Sequence, residues 1–373
     1  MSWRARIARA LSKREWRSVL GMASFIVLLH LAGWGVLAGI VAPHSFQIGS
    51  GQVFGIGLGL TAYALGMRHA FDADHITAID NTTRKLMSAG PRPLSVGFWF
   101  SLGHSSIVFI LVGLLALGVR ALSGQVTRES STFQRVGGIV GTAVSGTFLY
   151  VIGIVNLVIL VGIVRAFRRM RREEFSEAAL EAQLAKRGLL TRLLAGAMKT
   201  VSKPWQMYPI GLAFGLGFDT ATEVGLLVLA GGAAAFSLPW YAVLTLPILF
   251  AGGMSLLDTM DGCFMNVAYA WAFSKPVRKI FYNLTVTGLS VAVALSIGTV
   301  ELLSIAAERL GVSHGPLAYL AGLDLTAFGL VIAVAFVGIW LLAIAVWRFG
   351  RIEERWTPNS PRPLVSLARP PSE

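Results

Sequence analysis

The chain has 373 residues, of which 55% are hydrophobic and only 14% charged. Its mean hydropathy is +0.67, whereas a soluble domain carries about 25% charged residues, so a water-soluble fold is excluded. The formal net charge of +13 invites a nucleic-acid reading, but the basic residues gather at the N-terminus, between apolar runs and at the C-terminus. That is the pattern of cytoplasmic segments beside anionic lipid, so membrane lipid is the expected partner and nucleic acid is not.

In chain order, residues 1–18 form a basic cytoplasmic N-terminus (Arg4, Arg6, Arg9, Lys13, Arg14, Arg17). The apolar run 19–42 follows it. It exceeds the roughly 7–15 residues of a secretory signal core and reads as an uncleaved anchor. Seven further spans are expected at 52–80, 94–118, 136–166, 207–230, 240–272, 277–303 and 322–348, each approaching or exceeding the ~20 residues that cross a bilayer as a helix. The fold expected is therefore an all-α membrane bundle of eight helices, occupying 19–348. A cytoplasmic loop, 166–204, carries Glu173, Glu174, Glu177 and Glu181 among basic residues. It reads as a short amphipathic surface helix, with a plain solvated connector favoured over a regulatory element. Residues 349–373, rich in Pro and Ser, are expected to be a disordered cytoplasmic tail.

Charge bias orients the bundle. Arg84, Lys85 and Arg92, the cluster from Arg165 to Lys203, and Lys275, Arg278 and Lys279 fall in loops assigned to the inside, while 43–51 and 231–239 contain no Lys or Arg. The loop 119–135, with Arg120, Arg128 and Arg135, runs against the trend. On balance both termini are expected in the cytoplasm. A single cysteine, Cys263, excludes an internal disulfide.

Ionisable groups within the spans carry the functional signal. Arg68-His69-Ala70-Phe71-Asp72-Ala73-Asp74-His75 ends a stretch, Gln52 to Met67, that has no charge. Asp80, Asp219, Glu223, Asp258 and Asp261 also fall in or at the edge of spans. At roughly 2.5–3.5 kcal/mol per charge at the helix centre, such a set must line an interior, pair, bind cations or be protonated. On a regular helix Arg68, His69, Asp72 and His75 share an arc of about 120°, with Asp74 nearly opposite His69 unless the helix unwinds locally. Asp219 and Glu223 share a face of the fifth span, and Asp258 and Asp261 a face of the sixth. His104, His30 and Asn156 add neutral donors in the third, first and fourth spans. Mixed nitrogen and oxygen donors of this kind suit a divalent transition metal.

Bland alternatives stand beside these. His104 or His30 alone serves equally well as an interhelical hydrogen-bond partner, and Asn156 reads better as helix–helix glue than as a ligand. Asp80 and Arg84 read as an interfacial pair, Arg68 as the partner of a carboxylate, and His44 and His314 as surface residues. Gly55, Gly57, Gly59, Gly137, Gly138, Gly141, Gly252 and Gly253 suit close helix packing or local unwinding.

The run Arg68 to Ile76 resembles the HX4DH hallmark of the NiCoT nickel/cobalt transporters, with His69, Asp74 and His75 as its letters. Phe100–Ser106, Leu216–Glu223 and Leu249–Gly262 resemble that family's three other motif segments, in order and in the corresponding spans. The resemblance covers most of the chain. It implies high-affinity uptake of Ni2+ and/or Co2+ by a secondary permease in a prokaryotic cytoplasmic membrane, through eight helices with cytoplasmic ends. It implies that His69, Asp72, Asp74 and His75 are required for transport, and that a first-span histidine comparable to His30 bears on selectivity. Gly253 departs from the pattern, where a larger residue is expected.

The expected chemistry is transport, not catalysis, with the metal ion as substrate and no resident cofactor. Imidazole nitrogen favours Ni and Co over Mn or Mg. Coordination requires neutral imidazole, so uptake is expected to fall as pH drops through the histidine range. Asp219, Glu223, Asp258 and Asp261 are read as outer partners, alternate ligands or proton carriers. No GxxxxGK[ST] motif is present, so coupling to a gradient is expected. An efflux permease of related sequence is the alternative, disfavoured because the loop 166–204 has no histidine. An intramembrane metalloprotease is disfavoured by the lack of His-Glu-x-x-His. Phe71-Asp72 and Phe218-Asp219, on spans of opposite direction, suggest an inverted repeat.

Overall fold

The computed structural model describes residues 11–48, 52–89, 92–116, 132–170, 201–216, 238–272, 287–312, 314–321 and 323, with scattered positions between 331 and 349. The helices are α1 (Lys13–Val36), α2 (Ile56–His69), α3 (Ala73–Ala89), α4 (Val96–Ala116), α5 (Thr132–Met170), α6 (Met207–Phe214), α7 (Trp240–Ala272), α8 (Gly288–Leu310) and α9 (Pro316–Ala321). Two-residue strands, β1 (Gln47–Ile48) and β2 (Gln52–Val53), pair antiparallel between α1 and α2. The other regular elements among the described residues are helical.

Among the described residues five helical segments are long and apolar enough to cross a membrane: Lys13–His44, Val96–Leu114, Ile139–Gly162, Trp240–Tyr269 and Gly288–Leu310. The expected span 52–80 is not one helix but two, α2 and α3, interrupted at Ala70–Asp72. The expected seventh span ends later than the sequence suggests, at Leu310, where Gly311 takes the left-handed conformation that closes a helix. The loop 171–200, the outer part of the expected fifth span with Asp219 and Glu223, and the tail after 350 lie outside the described residues.

Helix α7 is the centre of the bundle. It packs against α1, α2, α3 and α4, whereas α8 packs chiefly on α5, α9 and α3, and α6 on α4 and α5. In the apolar window of α7, 67% of residues are buried inside the protein, against 22% for α1, which leaves most of α1 for lipid. One apolar cluster, including Leu37, Ala62, Leu249, Phe250 and Met254, joins α7 to α2. A second, including Ile79, Phe100, Phe148, Leu149, Phe214 and Ile297, fills the space among α3, α4, α5, α6 and α8.

Glycines set the helix separations. A Cβ on Gly66 would run into the Phe250 carbonyl, one on Gly97 into that of Asp258, and one on Gly103 into that of Tyr208. Gly253 belongs to the same set: its Cα faces the Tyr63 carbonyl and Met67, so a larger side chain there would push α7 off α2. The unexpected glycine is thus a packing requirement.

Gly97→Ala is expected to destabilise the detergent-solubilised protein by about 1–3 kcal/mol, the usual cost of overpacking. Gly21→Ala, whose Cβ would meet nothing within 4 Å, is expected to leave it unchanged. Thermal unfolding followed by size-exclusion fluorescence compares the two.

Candidate metal centre

The interruption in the second span builds the site. At the end of α2 the hydrogen bonds tighten to the i→i+3 kind, Phe71 N–H to Arg68 O and Asp72 N–H to His69 O, each at 2.9 Å. The next helix starts when Asp72 O accepts the Ile76 N–H. Asp74 Oδ1 accepts the His75 N–H at 2.9 Å, satisfying one of the first amides of α3 and placing a carboxylate in its first turn. Asp72 turns the other way, toward His69.

Three imidazoles meet across this break. One ring nitrogen from each of His69, His75 and His104 lies within 4.8 Å of the other two, and all three residues are buried. His69 Nε2 is 3.0 Å from His104 Nε2. The His69 and His75 ring centroids are 4.8 Å apart, and each is 4.7 Å from that of His104. On an unbroken helix residues six apart rise by about 9 Å and point about 120° away from each other. The break, rather than a shared helix face, is what brings His69 and His75 together.

Carboxylates back the rings. His69 Nδ1 lies 2.9 Å from Asp72 Oδ2, within pairing distance though out of line for a hydrogen bond. His75 Nδ1 lies 3.5 Å from Asp258 Oδ2, and Asp258 is fully buried. Ser101 Oγ donates to Ser255 Oγ at 3.0 Å, tying α4 to α7 beside Asp258. Phe100 closes on His75 with centroids 4.7 Å apart, and Phe250 on His69 at 5.9 Å. Ringed by apolar side chains, these charges act at low dielectric, where pairing is strong and an unmet donor or acceptor is costly. His75 Nε2 has no hydrogen bond among the described residues. An orphaned buried nitrogen costs about 1–3 kcal/mol unless something coordinates it.

The other candidates are distributed differently. Asp74 is bound to the backbone and only half-buried. Asp261 is half-buried one turn beyond Asp258, within electrostatic reach of Asp258 and Asp80. His30 uses both nitrogens elsewhere: Nδ1 bonds Ile26 O at 2.7 Å and Nε2 bonds the Tyr63 hydroxyl at 3.1 Å. Asn156 Nδ2 donates to Asn81 Oδ1 at 2.7 Å, joining α5 to α3. Arg68 is exposed and enters none of the ion pairs among the described residues. His44 and His314 are exposed. Asp80 and Arg84 do pair, and both are buried among protein groups, enclosed by Tyr269 and Ser290. Glu301 escapes the sequence argument although the same cost applies to it. It is buried on α8 and accepts from Ser145 Oγ at 2.8 Å.

A profile of the NicO family, described as "High-affinity nickel-transport protein", matches residues 55–346 and so takes in every described element from α2 to α9. The chain belongs to the NicO family. The nickel transporter NicT of Mycobacterium tuberculosis is 58% identical over 96% of this chain and 96% of its own length. The nickel transporter NixA of Staphylococcus aureus is 43% identical over 92% of this chain and 98% of its own. The cobalt transport protein NhlF of Rhodococcus rhodochrous is 38% identical over 91% and 94%. No solved structure matches the chain.

Asp258→Asn keeps the side-chain volume but removes the charge facing His75. It is expected to weaken binding of a divalent transition-metal ion by roughly 10–100-fold, the usual cost of losing a histidine's carboxylate partner. Equilibrium dialysis of the solubilised protein with radiolabelled metal measures it.

Proposed function

We propose that the chain is a secondary permease that takes up Ni2+, and Co2+ as a related substrate, across the cytoplasmic membrane of a prokaryote. The observation that carries this reading is the trio of buried imidazoles, His69, His75 and His104, whose nitrogens approach within 4.8 Å of one another. Nitrogen donors in a desolvated site favour Ni2+ and Co2+ over the hard cations that prefer oxygen cages. The relatives named for nickel and for cobalt support the same substrate pair.

In this mechanism the ion enters from outside, loses water and is held by the three imidazoles. Asp72 and Asp258 orient His69 and His75 and offset the charge of the ion. His104 belongs to the ligand set, and Asp74 starts α3 beside the ligands. Asp261, with Asp219 and Glu223 of the expected fifth span, supplies further carboxylates as outer partners, alternate ligands or proton carriers. His30 and Asn156 act through helix contacts, on α2 and α3 respectively. Eight spans with both termini in the cytoplasm fit the charge distribution. The membrane domain then occupies 19–348, with the 166–204 loop and the 349–373 tail inside.

Cells expressing the chain are expected to accumulate labelled Ni2+. His69→Ala, His75→Ala and His104→Ala are each expected to reduce initial uptake at least about tenfold at equal protein level, as loss of one metal–nitrogen bond implies. Unchanged uptake in all three would sink the ligand assignment. Accumulation below that of empty cells would reverse the direction of transport.

A further inference from the structure

Beyond the histidines, α3 carries Asp80 and Arg84 one turn apart, 0% and 3% exposed. Asp80 Oδ2 accepts from Arg84 Nη2 and from Ser290 Oγ, each at 2.5 Å, and Oδ1 accepts from the Tyr269 hydroxyl. Arg84 Nη2 also donates to Ser290 Oγ, and the guanidinium carbon sits 5.2 Å from the Tyr269 ring centroid. The network therefore stitches α3, α7 and α8 together.

Two features set it apart from a purely structural ion pair. Arg84 Nε and Nη1 have no hydrogen bond among the described residues, so more than half of the guanidinium's donors go unused. A buried pair so incompletely satisfied is weak evidence for stability. Second, the pair stands at the end of a line of carboxylates. On α7, Asp258 faces His75 and Tyr269, about three turns further on, bonds Asp80, so Asp261 falls between two contacts of α7 with α3. A cation leaving the histidines along that line finds its last carboxylate already held by an arginine.

We propose that Arg84 is a tethered counter-cation that closes the cytoplasmic exit, released when a departing metal ion replaces it on Asp80. Tyr269 and Ser290 set how firmly the exit is held, since each bonds the same carboxylate from a different helix. The proposal rests on the uptake reading and the orientation given above. Between metal transits the pair is closed, and the path from the histidines to the cytoplasm is sealed.

The test uses Thr77, fully buried between His75 and Asp80 on the face of α3 that carries Arg84. Thr77→Cys is made with Cys263→Ser, Cys263 being the one cysteine in the sequence. The full-length protein in metal-free inside-out vesicles is treated with a membrane-impermeant thiol reagent. Labelling is expected to be slow and to accelerate about tenfold when Tyr269→Phe or Ser290→Ala is added, as loss of one charge-assisted hydrogen bond shifts a two-state equilibrium. In right-side-out vesicles the same additions are expected to change nothing. Unchanged labelling in both variants, or an equal rise from both faces, overturns the gate. Wild-type uptake of labelled Ni2+ in the same membranes tests the transport reading separately, because the labelling needs no metal.

Discussion

Backbone-to-backbone contact between α7 and its neighbours is the constraint on which the rest depends. Gly66 and Gly253 let α2 and α7 meet without intervening side chains, and Gly97 does the same for α4 and Asp258. In a bilayer apolar side chains gain little by leaving lipid for one another, so close approach and polar contacts must hold helices together. That approach also fixes the site. Asp258 reaches His75 only because α7 lies this near to α3 and α4.

The polar interior forms two tiers with different degrees of satisfaction. At the histidines, nitrogens and carboxylates converge with several atoms lacking hydrogen bonds among the described residues, His75 Nε2 and both Asp258 oxygens included. At Asp80, both carboxylate oxygens are engaged by groups from three helices. An underfilled donor set beside a fully engaged carboxylate suits a path in which the first tier receives an ion and the second holds a substitute cation in place.

Much of this was legible in the sequence because the bilayer makes ionisable residues conspicuous. Composition and run length implied a helical membrane protein, and the motif around His69–His75 implied the NicO relationship that the comparisons show. The break at Ala70–Asp72 was less legible. Nothing in Ala-Phe-Asp is a strong helix breaker, so tertiary contacts decide where the turn falls. His104 carried too little local information to be told from an interhelical hydrogen-bond partner, and the structure places its Nε2 3.0 Å from His69 Nε2 where α2, α3 and α4 converge. The burial of Asp80 and Arg84 was hidden for the same reason, since their i,i+4 spacing fits an exposed pair equally well. Glu301 was legible by cost and was missed because it stands alone in its span.

The break also has a mechanical meaning. Helix α2 is fastened to α7, while α3 also packs against α5 and α8, so the three residues between them act as a joint between differently anchored parts of the bundle. His69 is rooted on one side of that joint and His75 on the other. Their separation is therefore a direct function of the angle between α2 and α3. Tilting one helix against the other changes the distance between the two imidazoles, so the spacing of these nitrogens and the posture of the bundle are one variable.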